Sequence, residues 1–195
     1  MVFMRAIAVA CLLCLAGGAP PAMAGSWFKQ TPKQKAYLAG LARNAVKYGA
    51  EDYRKGKYES ARRHFSRATG YNPKYLHAWN SLGYTEIQLG EYKKAERAFD
   101  KAVDLNSKDA RANSGLGRAL YGQGKYERAL RYFNRAVRYK PGHADSRYHR
   151  SNVYYHLGKY QKALKDAEAA VQLAPRSKAA RAWLDKVRAK LKPTR

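Results

Sequence analysis

The chain has 195 residues, with 39 Lys and Arg against 14 Asp and Glu, which gives a formal net charge of +25. A hydrophobic fraction of 46% excludes a wholly disordered chain despite that charge. The two cysteines are too few for a disulfide-rich scaffold. The length suits one domain or one short array of repeats.

The first 24 residues have the features of a secretory signal peptide. Residues 1–5 carry one positive charge, residues 6–16 form an unbroken apolar run, and Ala-Met-Ala at 22–24 is typical of a cleavage site. The apolar run is about half of the roughly 20 residues that a membrane span needs. We therefore expect cleavage after Ala24, an exported protein that is periplasmic or secreted, and no transmembrane segment after cleavage. The alternative is a retained N-terminal helix.

Residues 25–41 form an N-terminal segment that includes the start of the first helix. Thr31 followed by Pro32 is typical of an N-cap and the first helical residue. The first helix is therefore predicted to begin about ten residues before the regular pattern that follows.

A pattern with a period of 34 residues occurs four times, and its tyrosines are Tyr58, Tyr92, Tyr126 and Tyr160. Glycine stands two residues before each tyrosine, alanine stands three and ten residues after it, and proline or serine stands fifteen residues after it. Glycine can end a helix in the left-handed conformation, alanine lets two helices approach closely, and proline stops a helix. The pattern predicts an all-α array of helical hairpins.

These columns resemble the tetratricopeptide repeat, a helix-turn-helix unit, over about residues 42–177. The second copy carries the most typical residues: Trp79, Leu82-Gly83, Gly90-Glu91-Tyr92, Ala95, Phe99 and Ala102. The resemblance implies a tetratricopeptide-like helical-hairpin solenoid with units at 42–75, 76–109, 110–143 and 144–177. The fourth unit has Ala167 where the others have phenylalanine, so we expect its packing against its neighbours to be the weakest.

Residues 178–192 are predicted to form a capping helix at the C-terminal end of the solenoid. Ser177 is a suitable N-cap. The apolar residues that follow it share one helix face: Ala180, Trp183, Leu184, Val187 and Leu191. Such a face covers the last repeat, which has no following neighbour.

No enzymatic motif is apparent, and we expect neither catalytic activity nor a cofactor. The chain lacks nucleophile-elbow, zinc-protease, phosphate-loop and dinucleotide fingerprints. His149 and His156 are seven residues apart and form a possible metal pair, but no cysteine accompanies them. A structural or solvated role is the better interpretation of both histidines, and we predict no metal site.

The resemblance implies a peptide-binding groove lined by the first helix of each unit. The positions that carry over, here called the groove set, are His77, Asn80, Tyr84, Ile87, Arg111, Ser114, Arg118, Tyr121, Asp145, Tyr148, Asn152 and Tyr155. Tyrosine and arginine are suited to recognition because they combine rigid apolar area with directed hydrogen bonds. The alternative is that some of these tyrosines only pack against the neighbouring unit. The predicted function is a non-enzymatic scaffold of the cell envelope that binds a protein or peptide.

The second helices of the units carry basic residues that share one helix face, here called the basic ridge. Its members are Arg63, Arg67, Lys94, Arg97, Lys101, Arg128, Arg131, Arg135, Lys162 and Lys165. The simplest interpretation is a solvated face that keeps the protein soluble. The alternative function is a charge-driven adaptor for an anionic surface, such as lipid headgroups, an acidic envelope polymer or an acidic protein. Nucleic acid fits the charge equally well, but the signal peptide argues against it.

Overall fold

The computed structural model describes residues 30–192, and these residues form nine α-helices without a strand. The helices are α1 (Pro32–Arg54), α2 (Tyr58–Tyr71), α3 (Leu76–Gln88), α4 (Tyr92–Leu105), α5 (Ala110–Gly122), α6 (Tyr126–Tyr139), α7 (Ala144–His156), α8 (Tyr160–Leu173) and α9 (Lys178–Leu191). The predicted signal peptide, residues 1–24, lies outside the described residues.

The helices pair as hairpins, α1 with α2, α3 with α4, α5 with α6, and α7 with α8, and α9 packs against α8. Each first helix also contacts the first helix of the next hairpin, as α3 contacts α5 and α5 contacts α7. Within residues 30–192, no comparable contact joins successive second helices. The first helices therefore form the inner layer of the array, and the predicted all-α solenoid is confirmed.

A glycine ends the first helix of each hairpin in the left-handed region. Gly56, Gly90, Gly124 and Gly158 have φ angles between +71° and +75°. That region costs a residue with a Cβ atom about 1–2 kcal/mol, which explains the glycine. The second helix begins two residues later in every case. The helix-ending role predicted for these glycines is confirmed.

Phenylalanines of the second helices fill the core against glycines of the first helices. Phe99 is fully buried, and a Cβ atom on Gly83 would lie 2.6 Å from its ring. Gly49 with Phe65 and Gly117 with Phe133 repeat the arrangement. Each hairpin of this kind is closed by an aromatic ring that only glycine leaves room for.

The fourth hairpin is closed differently. Ser151 replaces the glycine, Ala167 replaces the phenylalanine, and the Ser151 hydroxyl donates to the Ala163 carbonyl at 2.7 Å. Beside them Arg150 donates to both carboxylate oxygens of Asp166, at 2.6 and 2.7 Å. A hydrogen-bonded ion pair therefore stands where the second hairpin has Leu82 and Ala98.

The fourth position of units two, three and four contains three different residues that make the same hydrogen bond. In units two to four its side chain donates to a backbone carbonyl six residues earlier, just after the preceding second helix. The donor–carbonyl pairs are Trp79–Pro73 at 2.8 Å, Asn113–Ser107 at 2.9 Å and Arg147–Pro141 at 3.0 Å. The bond links each repeat to the turn before it and satisfies a carbonyl beyond the helix end.

Both ends of the array are capped as the sequence predicts. Thr31 and Gln34 form a capping box at the start of α1, and the Ser177 hydroxyl accepts from the Ala180 amide at 3.2 Å. Trp183 of α9 donates to the Ser151 hydroxyl at 2.8 Å, which attaches α9 to the fourth hairpin.

Within the described residues, no helix is both long and apolar enough to cross a membrane.

Candidate binding surfaces

Ten of the twelve groove-set residues are accessible on the inner layer of first helices, and the other two are buried. Ser114 is completely buried and Asn80 is only 6% exposed. Ser114 lies in α5, which is covered by α3, α4, α6 and α7. Asn80 donates to the Asp109 carboxylate at 3.2 Å, and Asp109 in turn caps α5 by accepting from the Ala112 amide. The prediction that Asn80 and Ser114 face a ligand is therefore wrong: Asn80 links α3 to the N-cap of α5, and Ser114 is buried between helices.

Tyr84 contributes mainly to packing, although one edge stays accessible. Its ring meets Phe99 edge-on at a centroid distance of 5.0 Å, and its hydroxyl donates to the Arg111 carbonyl at 3.2 Å. Burial raises the pKa of Tyr84 well above its ordinary value, which keeps the hydroxyl protonated as a donor. Tyr84 therefore fastens α3 to α5 from the groove side.

A chain of polar contacts then crosses the groove from α3 to α7. The Arg118 guanidinium lies 5.4 Å from the centre of the Tyr84 ring and 4.0 Å from the Asp145 carboxylate. His149 Nε2 lies 3.4 Å from the same carboxylate. Burial works to raise the pKa of Asp145, but the contacts with His149 and Arg118 outweigh it and hold that pKa at about 2. Asp145 is therefore ionised at neutral pH and presents one fixed negative charge to the groove.

The far end of the groove is aromatic. Tyr121 packs on Tyr126 at 5.5 Å, and Tyr155 packs on Tyr160 at 5.2 Å, each in its own hairpin. All four rings remain partly exposed. These tyrosines therefore pack within their hairpins and also keep part of each ring accessible.

The groove continues onto the capping helix α9, for which the sequence predicts only a covering role. Trp183 of α9 lies 5.2 Å from the Tyr155 ring, and Lys186 Nζ lies within 5.6 Å of both ring centres. The available signal was the position of Trp183 on the apolar face of α9, but that signal indicates burial only. Half-buried Trp183 therefore extends the aromatic end beyond the four hairpins.

The accessible remainder of the groove is polar and aromatic. His77, Arg111 and Asp145 are exposed. The other accessible members are half-buried, and they are Tyr84, Ile87, Arg118, Tyr121, Tyr148, Asn152 and Tyr155. A surface with rigid rings beside both charge signs can make apolar and directed polar contacts along an extended chain.

The basic ridge lies entirely at the surface, since all ten of its members are exposed. Lys94 pairs with Glu91 at 3.4 Å and Arg128 pairs with Glu96 at 3.2 Å. For the other members, no carboxylate of residues 30–192 lies within 4.0 Å. Most of this charge therefore remains available to an anionic partner.

His149 and His156 do not come together as a metal pair. His149 contacts Asp145, whereas His156 stacks on Tyr126 at 5.1 Å. Between residues 30 and 192, no group of three or more His, Cys, Asp or Glu side chains is placed to hold a metal ion.

The tetratricopeptide repeat family matches the chain at residues 49–110 and 114–178, which is more than half of its length. The chain belongs to this family. Tetratricopeptide repeat proteins generally bind proteins or peptides, and they are generally not enzymes. Among curated proteins, no sequence matches this chain.

Solved tetratricopeptide repeat structures have the same fold. TTC0263 of Thermus thermophilus is 25% identical with a TM-score of 0.70, over 77% of this chain and 82% of that one. YrrB, a protein with an unusual peptide-binding site, is 24% identical with a TM-score of 0.61, over 77% and 82%. PilF of Pseudomonas aeruginosa is 20% identical with a TM-score of 0.70, over 79% and 70%.

Proposed function

We propose that this tetratricopeptide repeat protein is a non-enzymatic scaffold of the cell envelope, which binds a protein or peptide along α3, α5 and α7. The observation that carries the proposal is the accessible remainder of the groove set. Its exposed charges lie on the same inner layer as the half-buried rings. The envelope location is supported by the signal-peptide features of residues 1–24.

The groove favours a partner in an extended conformation with both apolar and charged side chains. The tyrosine edges and Trp183 supply apolar area with little entropy to lose, because their rings are already held by packing. Arg111 and Asp145 lie on adjacent inner helices and supply opposite charges at separate points. Opposite charges at separate points fix the register and direction of the bound chain more than they increase its affinity.

The test uses variants that leave the packing intact. Tyr84→Ala is unsuitable, because it removes the contact with Phe99 and the bond to the Arg111 carbonyl. We choose His77→Ala with Arg111→Ala, since both side chains are exposed. Peptides selected from a random phage-displayed library against the wild type provide the ligands, and calorimetry measures their affinity.

The double variant should lose about tenfold or more in affinity, since truncating a central recognition residue costs about 2 kcal/mol. His64→Ala with Arg131→Ala is the matched control, because it removes the same two residue types from α2 and α6. The control should bind like the wild type. Equal binding by all three proteins would refute the groove proposal.

The envelope location has its own test. Fractionation followed by N-terminal sequencing should recover a chain that begins at Gly25, because the Ala-Met-Ala sequence ends at residue 24. An intact chain beginning at Met1 in the cytosol would contradict the location without affecting the groove.

The basic ridge is the second candidate surface, favoured by the exposure of its unpaired charges. Reversal of Arg97, Arg131 and Lys165 to glutamate should abolish binding to anionic vesicles, and added salt should weaken the wild type. Exposed contacts are screened within about 8 Å at physiological ionic strength, which is why salt reaches them. Vesicle binding that survives the triple reversal would show that Arg97, Arg131 and Lys165 do not carry it.

A further inference from the structure

A cleft opens between the first and second hairpins on the side of the second helices. It has a volume of about 410 Å³. Arg63, Arg67 and Ser66 of α2 line one wall, Leu82 and Glu86 of α3 lie opposite, and Arg62 and Lys94 complete the lining. We call it the first inter-repeat cleft. The cleft is shallow and largely open to solvent.

Glu86 is the unusual residue in this cleft. It is only 5% exposed, and its Oε2 atom is buried without a hydrogen-bond donor in the described part of the chain. Burial raises the pKa of Glu86 above its ordinary value, although Arg62 and Lys94 oppose the shift. An unsatisfied buried acceptor of this kind costs about 1–3 kcal/mol, and more when it is charged.

The repeats supply an internal comparison, because equivalent residues lie 34 positions apart. The equivalent of Glu86 in the third unit is Leu120, which is fully buried in the core. The equivalent of Arg62 is Glu96, whose carboxylate accepts from Gln123 at 2.7 Å and from Arg128 at 3.2 Å. Between the second and third hairpins the carboxylate of Glu96 is therefore satisfied within the protein, whereas Glu86 Oε2 has no donor among the described residues.

The cations that line the first inter-repeat cleft differ in whether they already pair with a carboxylate. Arg62 pairs with Glu59, and Lys94 pairs with Glu91 at 3.4 Å. Arg63 and Arg67, one helical turn apart on α2, have no carboxylate within 4.0 Å among residues 30–192. Two neighbouring guanidinium groups of this kind suit a phosphate group, which they can bind through paired hydrogen bonds.

We propose that the first inter-repeat cleft binds a polyol phosphate, with the phosphate on Arg63 and Arg67 and a hydroxyl donating to the Glu86 carboxylate. A hydroxyl is the donor that fits, because four cations line the cleft and a ligand ammonium would add to their repulsion. The polyol carbons lie over Leu82. The site is independent of the peptide groove, and it gives two members of the basic ridge, Arg63 and Arg67, a specific ligand.

The first experiment titrates the full-length protein with glycerol 3-phosphate and, separately, with inorganic phosphate. The decisive variant is Glu86→Leu, which copies Leu120 of the next repeat and should fold with equal or greater stability. It should lose about tenfold in affinity for glycerol 3-phosphate, since that is the scale of a hydrogen bond to a charged acceptor. Its affinity for inorganic phosphate should stay the same or rise, because a negative charge has been removed.

Non-specific attraction predicts the opposite sign, namely tighter binding of both probes by Glu86→Leu, and that result would overturn the proposal. Arg63→Ala with Arg67→Ala should abolish binding of both probes. Arg97→Ala with Lys101→Ala is the matched control, because it removes two cations at the equivalent positions of α4. Equal losses from both pairs would also overturn it.

A second arm distinguishes a lipid headgroup from a soluble source. Vesicles of phosphatidylglycerol carry glycerol hydroxyls, whereas vesicles of phosphatidylserine at equal charge density do not. If the ligand is the headgroup, the wild type prefers phosphatidylglycerol, free glycerol 3-phosphate competes, and Glu86→Leu loses the preference. Equal vesicle binding, together with Glu86-dependent binding of glycerol 3-phosphate, identifies a soluble polyol phosphate. Binding that is independent of Glu86 in both arms refutes the site.

Discussion

Asp166→Ala tests whether an ion pair holds the fourth hairpin together. The side chains of Arg150 and Asp166 are only 16% and 4% exposed, and two hydrogen bonds of 2.6 and 2.7 Å join them. Removing one partner of a buried pair costs about 3–5 kcal/mol, because the other charge loses its compensation. Arg150 keeps a bond to Asn134 at 3.0 Å and some access to water. We therefore expect a loss near the lower limit, about 3 kcal/mol.

Arg150→Leu combined with Asp166→Ala separates the loss of attraction from the presence of an unpaired charge. The combination copies Leu82 and Ala98, the equivalent residues of the second unit. Replacing a whole buried ion pair by apolar groups is often neutral. Arg147 also donates to Asp166 at 3.4 Å and loses that contact in both variants. The double variant should therefore recover most of the loss and lie within about 1–2 kcal/mol of the wild type.

Urea denaturation followed by tryptophan fluorescence measures the free energy of unfolding of each variant. Hydrogen exchange then shows which helices lose amide protection. Repeat arrays are stabilised by nearest-neighbour contacts, so Asp166→Ala should reduce amide protection in α7, α8 and α9 before α3. Glu96→Ala is the control, because its partners Lys125 and Arg128 are 40% and 46% exposed and the pair is worth less. An Asp166→Ala variant as stable as the wild type, or a double variant as unstable as the single one, would refute the reasoning.

Three further predictions concern stability. Trp79→Phe should cost about 1 kcal/mol in urea denaturation by removing the bond to Pro73, and an unchanged midpoint would contradict the linking role. Gly90→Val should lower the melting temperature, because φ is +75° there; no change would mean that the turn tolerates a β-branched residue. Burial lowers the pKa of His149 below 6.5 in spite of Asp145, so stability should be complete above pH 6.5 and fall below it. Urea titrations across this range should show the fall, and His149→Gln should reduce it without removing it, because burial also lowers the pKa of His143.

The repeat architecture was predictable because its determinants are local. The left-handed turn at Gly90, the start of α4 two residues later and the N-caps at Thr31 and Ser177 each depend on a few neighbouring residues. The glycine turn and the helix start after it recur in all four units, so the sequence shows the same local signal four times. Local backbone preferences of this kind can be recognised without knowing which helices touch.

The groove was less predictable because its surface depends on contacts between repeats. Asn80 and Ser114 occupy positions that face a ligand in the family pattern, yet neighbouring helices and Asp109 cover them here. The contribution of Trp183 was missed for the same reason, since it depends on where α9 packs against α7. Exposure within a regular array depends on the residues one repeat away, which periodicity alone does not specify.

The comparison between repeats also separates structural variation from functional variation. Trp79, Asn113 and Arg147 differ, but each donates to the preceding turn, so this variation preserves one structural role. Glu86 differs from Leu120 in the opposite way, because it leaves a buried carboxylate oxygen without a donor among the described residues. A residue that lowers stability where the same protein contains a stabilising alternative is the pattern expected of a binding site. The first inter-repeat cleft is therefore where a ligand accounts for a cost that the fold alone does not explain.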